Sequence, residues 1–564
     1  MSTSSNDTND GKDSQECQSK LVSSTALRHY SNVLPKKGKP TPGKEWTVYA
    51  AIVATHNSND NGNAHNAWVV SCATGSKCTA VNSALSSFSN VDIPPCANSS
   101  NGENLCRECC CQEQMKGLVL HDSHAEVLAR RGLLRVLWRE IHRDLNGTDV
   151  GDESSKLLLQ RITTCTEDEP KRVSYDLKAG IQLHLYISDS PCGDASIYDI
   201  SPEYNVSKGG GDNDNLNFTG AKIIVPSTSA KEASDNFTPC GDSDTNNGDA
   251  GVPVNQNNVC IARERHQITS ALRLKSGRSN LPNHLRSSSM SCSDKICKWI
   301  VLGLQGSGII SSFLLNPIFL RSVVVSRDER ANVQSQLEAL KRALVERSNQ
   351  ANEMVSKYHQ CKALIPNLHI CNEVYPQGKA AAEKDVHDRA TSDDQQGASK
   401  KRKLGDGSTR SPISQPMAKT QISPIGISIN WQTTCQPNSN GTVDVEQTVG
   451  AKGIKQGKKP KRIGDVLKCS SRLSRHQLFQ DALSCIHSLN RKRIILKNLN
   501  QSTLKEFLLE QDVGTVNYQK AKLLLSESDV RKVKAAILKE LPSPLAGWVS
   551  NSDDHDFQCH ANYI

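Results

Sequence analysis

Asp122-Ser123-His124-Ala125-Glu126 puts an imidazole and a carboxylate two residues apart, just ahead of a run that reads as a helix, Val127 to Arg143. In that run Leu128, Leu133, Leu134, Leu137, Trp138 and Ile141 recur near helical spacing and give one apolar face. Asp122 or Ser123 is placed to cap the first turn, where backbone N–H groups lack partners. Neutral imidazole is a good zinc ligand. A carboxylate beside a metal but not bound to it can carry protons. By itself His-x-Glu is two polar residues on a helix end; what gives it meaning lies downstream.

The chain of 564 residues is 36% hydrophobic and 4% aromatic, too little apolar material to order all of it, so a core interrupted by disordered segments is expected. The net charge of +9, with local basic clusters, suits a polyanionic partner as well as a solvated surface. Twenty cysteines suggest a disulfide framework, but residues 1–20 are polar and lack the apolar core of a secretory signal. No apolar run is long enough to span a membrane. Reduced thiols in a nuclear or cytosolic protein are therefore expected, most of them buried as small apolar groups. The reading gives no membrane association and no obligate protein partner.

Working outward, residues 1–20 read as a disordered N-terminus and 21–34 as a short helix before the basic loop Lys36-Lys37-Gly38-Lys39-Pro40. Strands are expected at 46–54 and 67–72, the second leading into Thr74-Gly75-Ser76-Lys77-Cys78, a turn able to contact phosphate. Residues about 91–116, 203–259 and 376–424 read as low-complexity insertions. The first contains Cys106-x-x-Cys109-Cys110-Cys111, which lacks the second pair that a structural zinc site needs. The third contains Lys400-Lys401-Arg402-Lys403, a short basic run of the kind that directs nuclear import. A strand at 181–188 runs into Ser190-Pro191-Cys192-Gly193-Asp194, with Cys192 expected at the start of a helix whose dipole favours its thiolate. Arg273, Lys275 and Arg278 surround a Ser276-Gly277 turn, and Ser289-Met290-Ser291-Cys292-Ser293-Asp294-Lys295 follows. A buried strand is expected at 313–325, an exposed helix at 331–358, structure again from Ile425, a segment dense in Lys and Arg at 452–475, and helices near 475–489, 502–511 and 516–540.

One histidine, two distant cysteines and a glutamate beside the histidine make the catalytic set of the zinc nucleobase deaminases. Their usual pattern pairs the cysteines as Pro-Cys-x-x-Cys, whereas here Pro191-Cys192-Gly193-Asp194 is followed by Ala195. That departure resembles the adenosine deaminases acting on RNA, whose third ligand lies in a Ser-Cys-Ser-Asp-Lys string like Ser291 to Lys295. The segments 34–40, 45–47, 74–78, 122–131, 190–197, 289–307, 429–431, 518–522 and 547–549 also look like the family, its tRNA-acting branch in particular. No double-stranded-RNA-binding pattern accompanies them, which favours that branch over the mRNA editors.

The resemblance implies an α/β zinc-dependent deaminase fold, a central sheet flanked by helices, over residues 21–557, with 558–564 as a tail. It implies one catalytic zinc on His124, Cys192 and Cys292, with Glu126 as the proton shuttle. It places Ser76 and Lys77 near the target nucleotide, and Arg278 where the mRNA editors carry a glutamate that fills the space of the flipped base. It implies a buried inositol hexakisphosphate lined by Arg130, Arg131, Lys295, Lys298, Trp299, Gln305, Arg475, Tyr518, Lys522 and Trp548. The implied reaction is hydrolytic deamination of adenosine to inosine in the anticodon stem-loop of a tRNA, at the adenosine just 3′ of the anticodon of alanine tRNA.

Overall fold

The computed structural model describes residues 9–56, 66–79, 115–147, 157–166, 169–201, 217, 219–226, 259–262, 268–276, 286–355, 363–385, 422–433, 444–458, 465–510, 515–550 and 553–560. The insertions expected at 203–259 and 376–424 fall largely outside these residues, as do the 106–111 cysteine cluster, Arg278 and the 400–403 basic run.

Eight strands form the central sheet: β1 (Tyr49–His56), β2 (Asn66–Thr74), β3 (Ile181–Ile187), β4 (Leu320–Ser326), β5 (Asn367–Cys371), β6 (Ile427–Gln432), β7 (Val445–Val449) and β8 (Ile454–Lys455). Their spatial order is β5-β4-β3-β1-β2-β6-β7-β8. The β3–β4 and β4–β5 pairs are parallel and the rest antiparallel. Parallel neighbours need a crossover connection, usually helical, and here helices fill both connections.

Strand β1 shows why the sheet sits in the middle. Successive side chains of a strand point to opposite faces. Ala50, Ile52 and Ala54 join the larger core, while Tyr49, Ala51 and Val53 join a second core on the other face. Helix α1 (Asn9–Asn32) covers that second face through Val22, Ala26 and Tyr30. It begins inside the segment expected to be disordered, because this stripe at helical spacing has apolar strand surface to bury. Helix α2 (Ala125–Asn146) lies on the first face against β1, β2 and β6.

Further helices that bear on the site are α3 (Cys292–Leu302), α4 (Val333–Leu340), α5 (Arg347–Val355), α6 (Arg475–Lys492), α7 (Tyr518–Leu525) and α8 (Ser528–Lys539). α6 packs along α2. Two expectations are corrected here. Residues 313–319 are not strand; Pro317 has no N–H to give a ladder, and β4 starts at Leu320. The 331–358 segment is not an exposed helix: a π-helical stretch, Lys341–Glu346, separates α4 from α5, and Leu340, Ala343, Leu344, Arg347 and Ala351 are buried. Arg347 makes the segment look polar, but its guanidinium is sunk onto Asp294 at 2.7 Å. The ten cysteines whose side chains are described are unpaired, and seven of them are buried.

Candidate metal centre and active site

Three element ends converge at one end of the sheet. His124 stands at the N-cap of α2, Cys192 follows β3, and Cys292 opens α3. One ligand atom from each lies within 4.8 Å of the others. Neither Asp122 nor Ser123 caps α2. Asp122 Oδ1 instead accepts the His124 backbone N–H at 3.0 Å and meets the ring Nδ1 at 2.9 Å, which leaves Nε2 as the ring's free nitrogen. Cys192 is followed only by a short 3-10 turn, Asp194–Ser196, so the favourable helix end belongs to Cys292.

The two cysteine segments are clamped together. Ser293 N–H donates to the Cys192 carbonyl at 3.0 Å, and Cys292 N–H points to the Cys192 sulfur at 3.4 Å. Ser293 Oγ donates to that same carbonyl at 3.0 Å and accepts Ala195 N–H at 3.1 Å. Gly193, at φ +107°, passes so close to Ser291 that a Cβ would lie 2.4 Å from its Oγ. Ser291 caps α3, and Asp294 accepts its hydroxyl at 2.6 Å and the Arg273 N–H at 3.0 Å.

Asp122 is the hub beneath the ligands. Its Oδ2 accepts from Lys275 at 2.5 Å, from Ser289 at 2.7 Å and from Lys295. Burial alone raises a carboxyl's pKa, but the ammonium groups of Lys275 and Lys295 hold Asp122 well below the usual range. Lys275 also donates to Cys292 Sγ at 3.3 Å, so it compensates thiolate charge as well. A hydrogen bond from Cys292, against the cost of burial, pulls the Cys192 thiol well below its ordinary value.

Glu126 is 2% exposed, and its Oε2 has no hydrogen-bond partner. Burial raises its pKa. An orphaned carboxyl oxygen beside a His/Cys/Cys cluster is the arrangement a bound metal and its water would complete. The donor set, two sulfurs and one imidazole with a fourth position open, fits a catalytic zinc ion. Ser76 and Lys77 form the adjoining wall: Ser123 N–H donates to the Lys77 carbonyl at 2.9 Å, and Ala125 N–H to the Gly75 carbonyl at 3.0 Å. Cys78, which the sequence reading left without a role, lies 3.4 Å from His124 Nδ1.

Behind α2 is a cavity of about 290 Å³ whose walls carry Arg130, Arg131, Lys298, Arg475, Lys522 and Lys534. Trp299, Gln305 and Tyr518 line it too. Lys534, on α8, was missed by the sequence reading because its neighbours there, Arg531 and Lys532, make a run of cations that reads as solvated. Two expected residues stand elsewhere. Lys295 points at Asp122 and Ser289 rather than lining the cavity, and Trp548 sits behind Lys298, whose Nζ is 3.5 Å from the ring centroid.

Burial, reinforced by the neighbouring cations, pushes Lys298 well below the usual lysine value. Burial likewise lowers Lys522 and Lys534 to about 8 and Arg130 to about 9. Asp554, the carboxylate beside them, is already engaged by Arg475, His121 and the Gly117 N–H. So many cations lining one cavity leave it with positive charge that the neighbouring carboxylate does not balance.

This fold and site are those of a deaminase, and comparison with known proteins agrees. Residues 105–551 match the adenosine-deaminase (editase) domain. The chain belongs to that family of zinc-dependent adenosine deaminases. It is 30% identical to the tRNA-specific adenosine deaminase 1 of Drosophila melanogaster over 58% of this chain and 59% of that protein. It is 25% identical to the Mus musculus protein of the same name over 95% of this chain and 99% of that protein. It is 27% identical to the Drosophila melanogaster double-stranded RNA-specific editase Adar, over 49% of this chain and 29% of that protein.

Proposed function

We propose that the protein hydrolytically deaminates adenosine to inosine in tRNA. The observation that carries this is the His124/Cys192/Cys292 cluster with the buried, unpartnered Glu126 carboxyl beside it. The relatives named as tRNA-specific deaminases, one aligned over nearly its whole length, support tRNA as the substrate class.

His124, Cys192 and Cys292 would hold a zinc ion, which when bound would supply Lewis acidity to the water that attacks the adenine carbon bearing the exocyclic amine. Glu126 carries one proton from that water to the ring nitrogen, then a second from the hydroxyl of the resulting adduct to the amine, which leaves as ammonia as the carbonyl forms. A raised pKa suits a group that must hold a proton and release it within one turnover. Asp122 fixes the His124 ring by its Nδ1, and Lys275 balances the charge of the Cys292 sulfur. Ser76 and Lys77, on the adjoining wall, contact the target nucleotide.

The finer reading is adenosine 37 of alanine tRNA, next to the anticodon. An anticodon loop presents unstacked bases, which lessens the need for a wedge at the position of Arg278. We further propose that the cation-lined cavity holds inositol hexakisphosphate, supported by the cations along its wall. The 400–403 run supports nuclear import; replacing its four residues with alanine and finding a tagged protein distributed as before removes it as the signal. The central experiment is incubation of the purified protein with total tRNA and sequencing for inosine. Conversion at one site next to an anticodon is expected, with zinc lost in Cys192→Ser and Cys292→Ser. No inosine from zinc-loaded protein overturns the reading.

A further inference from the structure

The two cysteines carry the same local pattern. An aspartate stands two residues beyond each, Asp194 after Cys192 and Asp294 after Cys292, and both are fully buried. Each is held by an arginine from one stretch of chain. Arg342 Nε lies 3.4 Å from Asp194 Oδ1, and its Nη2 donates to the Asp194 and Ile197 carbonyls at 3.0 Å each. Those carbonyls lie at the two ends of the 3-10 turn after Cys192, so one guanidinium fixes the whole turn. Arg347 Nη2 donates to Asp294 Oδ1 at 2.7 Å and to the Pro544 carbonyl at 3.3 Å. Asp294 Oδ2 is taken by Ser291 and the Arg273 N–H, so this carboxylate is held on both sides in the first turn of α3.

Residues five apart on an α-helix point about 140° away from each other, at about 3.6 residues per turn. Arg342 and Arg347 nevertheless reach two neighbouring loops, because the Lys341–Glu346 stretch is π-helical. Its i→i+5 hydrogen bonds bring residues five apart onto nearly the same side, and such turns occur frequently at functional sites. The stretch packs against both the 3-10 turn and α3. Stability does not call for the charges: a buried ion pair is often worth no more than apolar residues of equal volume. Arg347 Nε and Nη1, and Asp194 Oδ2, are buried without partners, which adds to the cost. What the pairs supply is direction, since a planar guanidinium sets the angle as well as the distance of what it holds.

We propose that Arg342 and Arg347 are positioning residues for the metal centre: through Asp194 and Asp294, the π-helical stretch sets the separation and angle of the Cys192 and Cys292 sulfurs. The inference rests on the reading of those cysteines as metal ligands. Both arginines act through the ligand loops rather than on the reacting atoms. Loosening the clamp lets the two sulfurs wander, and a metal held by poorly directed donors leaves sooner.

Arg342 is 24% exposed, so Arg342→Ala leaves no sealed void. Zinc release to a chromophoric chelator, the absorption of the cobalt(II)-substituted protein, tRNA binding and inosine formation are measured. The control is wild type in enough urea to match the variant's unfolding free energy. Arg342→Ala is expected to hold zinc about 10–100-fold more weakly than that control, seen as faster release, with altered cobalt–thiolate bands. Kd and KM for tRNA are expected to stay as in wild type, with the loss falling on kcat. Arg342→Lys, with one donor group instead of a fork, is expected to recover part of the retention. Zinc release equal to the urea-matched control would make Arg342 an ordinary stabilising residue and overturn the proposal. So would a loss of tRNA binding with zinc release unchanged, which reassigns Arg342 to the substrate; neither result touches the ligand reading. Purified wild type holding no zinc, or Cys192→Ser retaining it, overturns the ligand reading and this inference with it.

Discussion

At Glu126 the chain leaves a carboxyl oxygen buried without a partner, a cost of about 1–3 kcal/mol that a purely structural residue would shed. Glu126→Gln keeps the shape but cannot pass protons. Turnover is expected to fall by at least about a hundredfold, with zinc and tRNA binding retained; inosine formation read beside elemental analysis checks it. Asp122 carries a different load, balancing Lys275 and Lys295 while orienting His124. In Asp122→Asn both ammonium groups lose their counter-charge in a buried site. A loss of about 3–5 kcal/mol in unfolding free energy is expected, together with weakened zinc binding. Denaturant titration with and without chelator separates the two effects.

At the scale of elements, the centre exists because a strand end and a helix start are stitched side by side around Gly193 and Ser291. Gly193→Ala would put a methyl group within 2.4 Å of Ser291 Oγ at a backbone angle, φ +107°, that disfavours a side chain. Purified Gly193→Ala is expected to be zinc-depleted. Gly457→Ala, where a Cβ meets nothing within 4 Å, is expected to keep its metal and lose only the roughly 1 kcal/mol that a positive φ costs. His124, Glu126, Cys192 and Cys292 could be picked out of the sequence because each sits in a short motif at an element boundary. Lys275 could not: it was visible as one cation near a turn, and only the fold brings it to Asp122 and Cys292. Lys534 and Arg347 failed for the same reason, since a charged residue at helical spacing reads as solvated until its tertiary partner is known. Lys295 and Trp548 were expected on the cavity wall and do not stand there; Lys295 turns to the hub, and Trp548 supports Lys298 from behind.

For the whole molecule, the polyanion proposed for the cavity would make stability depend on that ligand and on pH. Burial holds Lys522 and Lys534 near 8 when no anion compensates them. A bound polyanion favours their charged forms and raises those values. Between the free and bound values, binding takes up protons, so affinity is level below about pH 8 and falls as pH rises beyond it. Titration with inositol hexakisphosphate at about pH 7.5 and about pH 9.5 is expected to show weaker binding at the higher pH, with proton uptake measurable from the buffer dependence of the heat. Equal affinity at both would remove the lysines from the site.

The wall of that cavity is written in widely separated parts of the chain: α2 carries Arg130 and Arg131, whereas Lys522, Lys534 and His555 come far downstream. A polypeptide leaving the ribosome therefore exposes two arginines of a half-built chamber long before the strands and helices that close it have been made. His124, Cys192 and Cys292 are all synthesised before the chamber can shut. The chamber, unlike a locally built unit, cannot be completed stepwise from the N-terminus. Until the segment beyond 500 has been made, the nascent chain carries that basic wall without the residues that complete it.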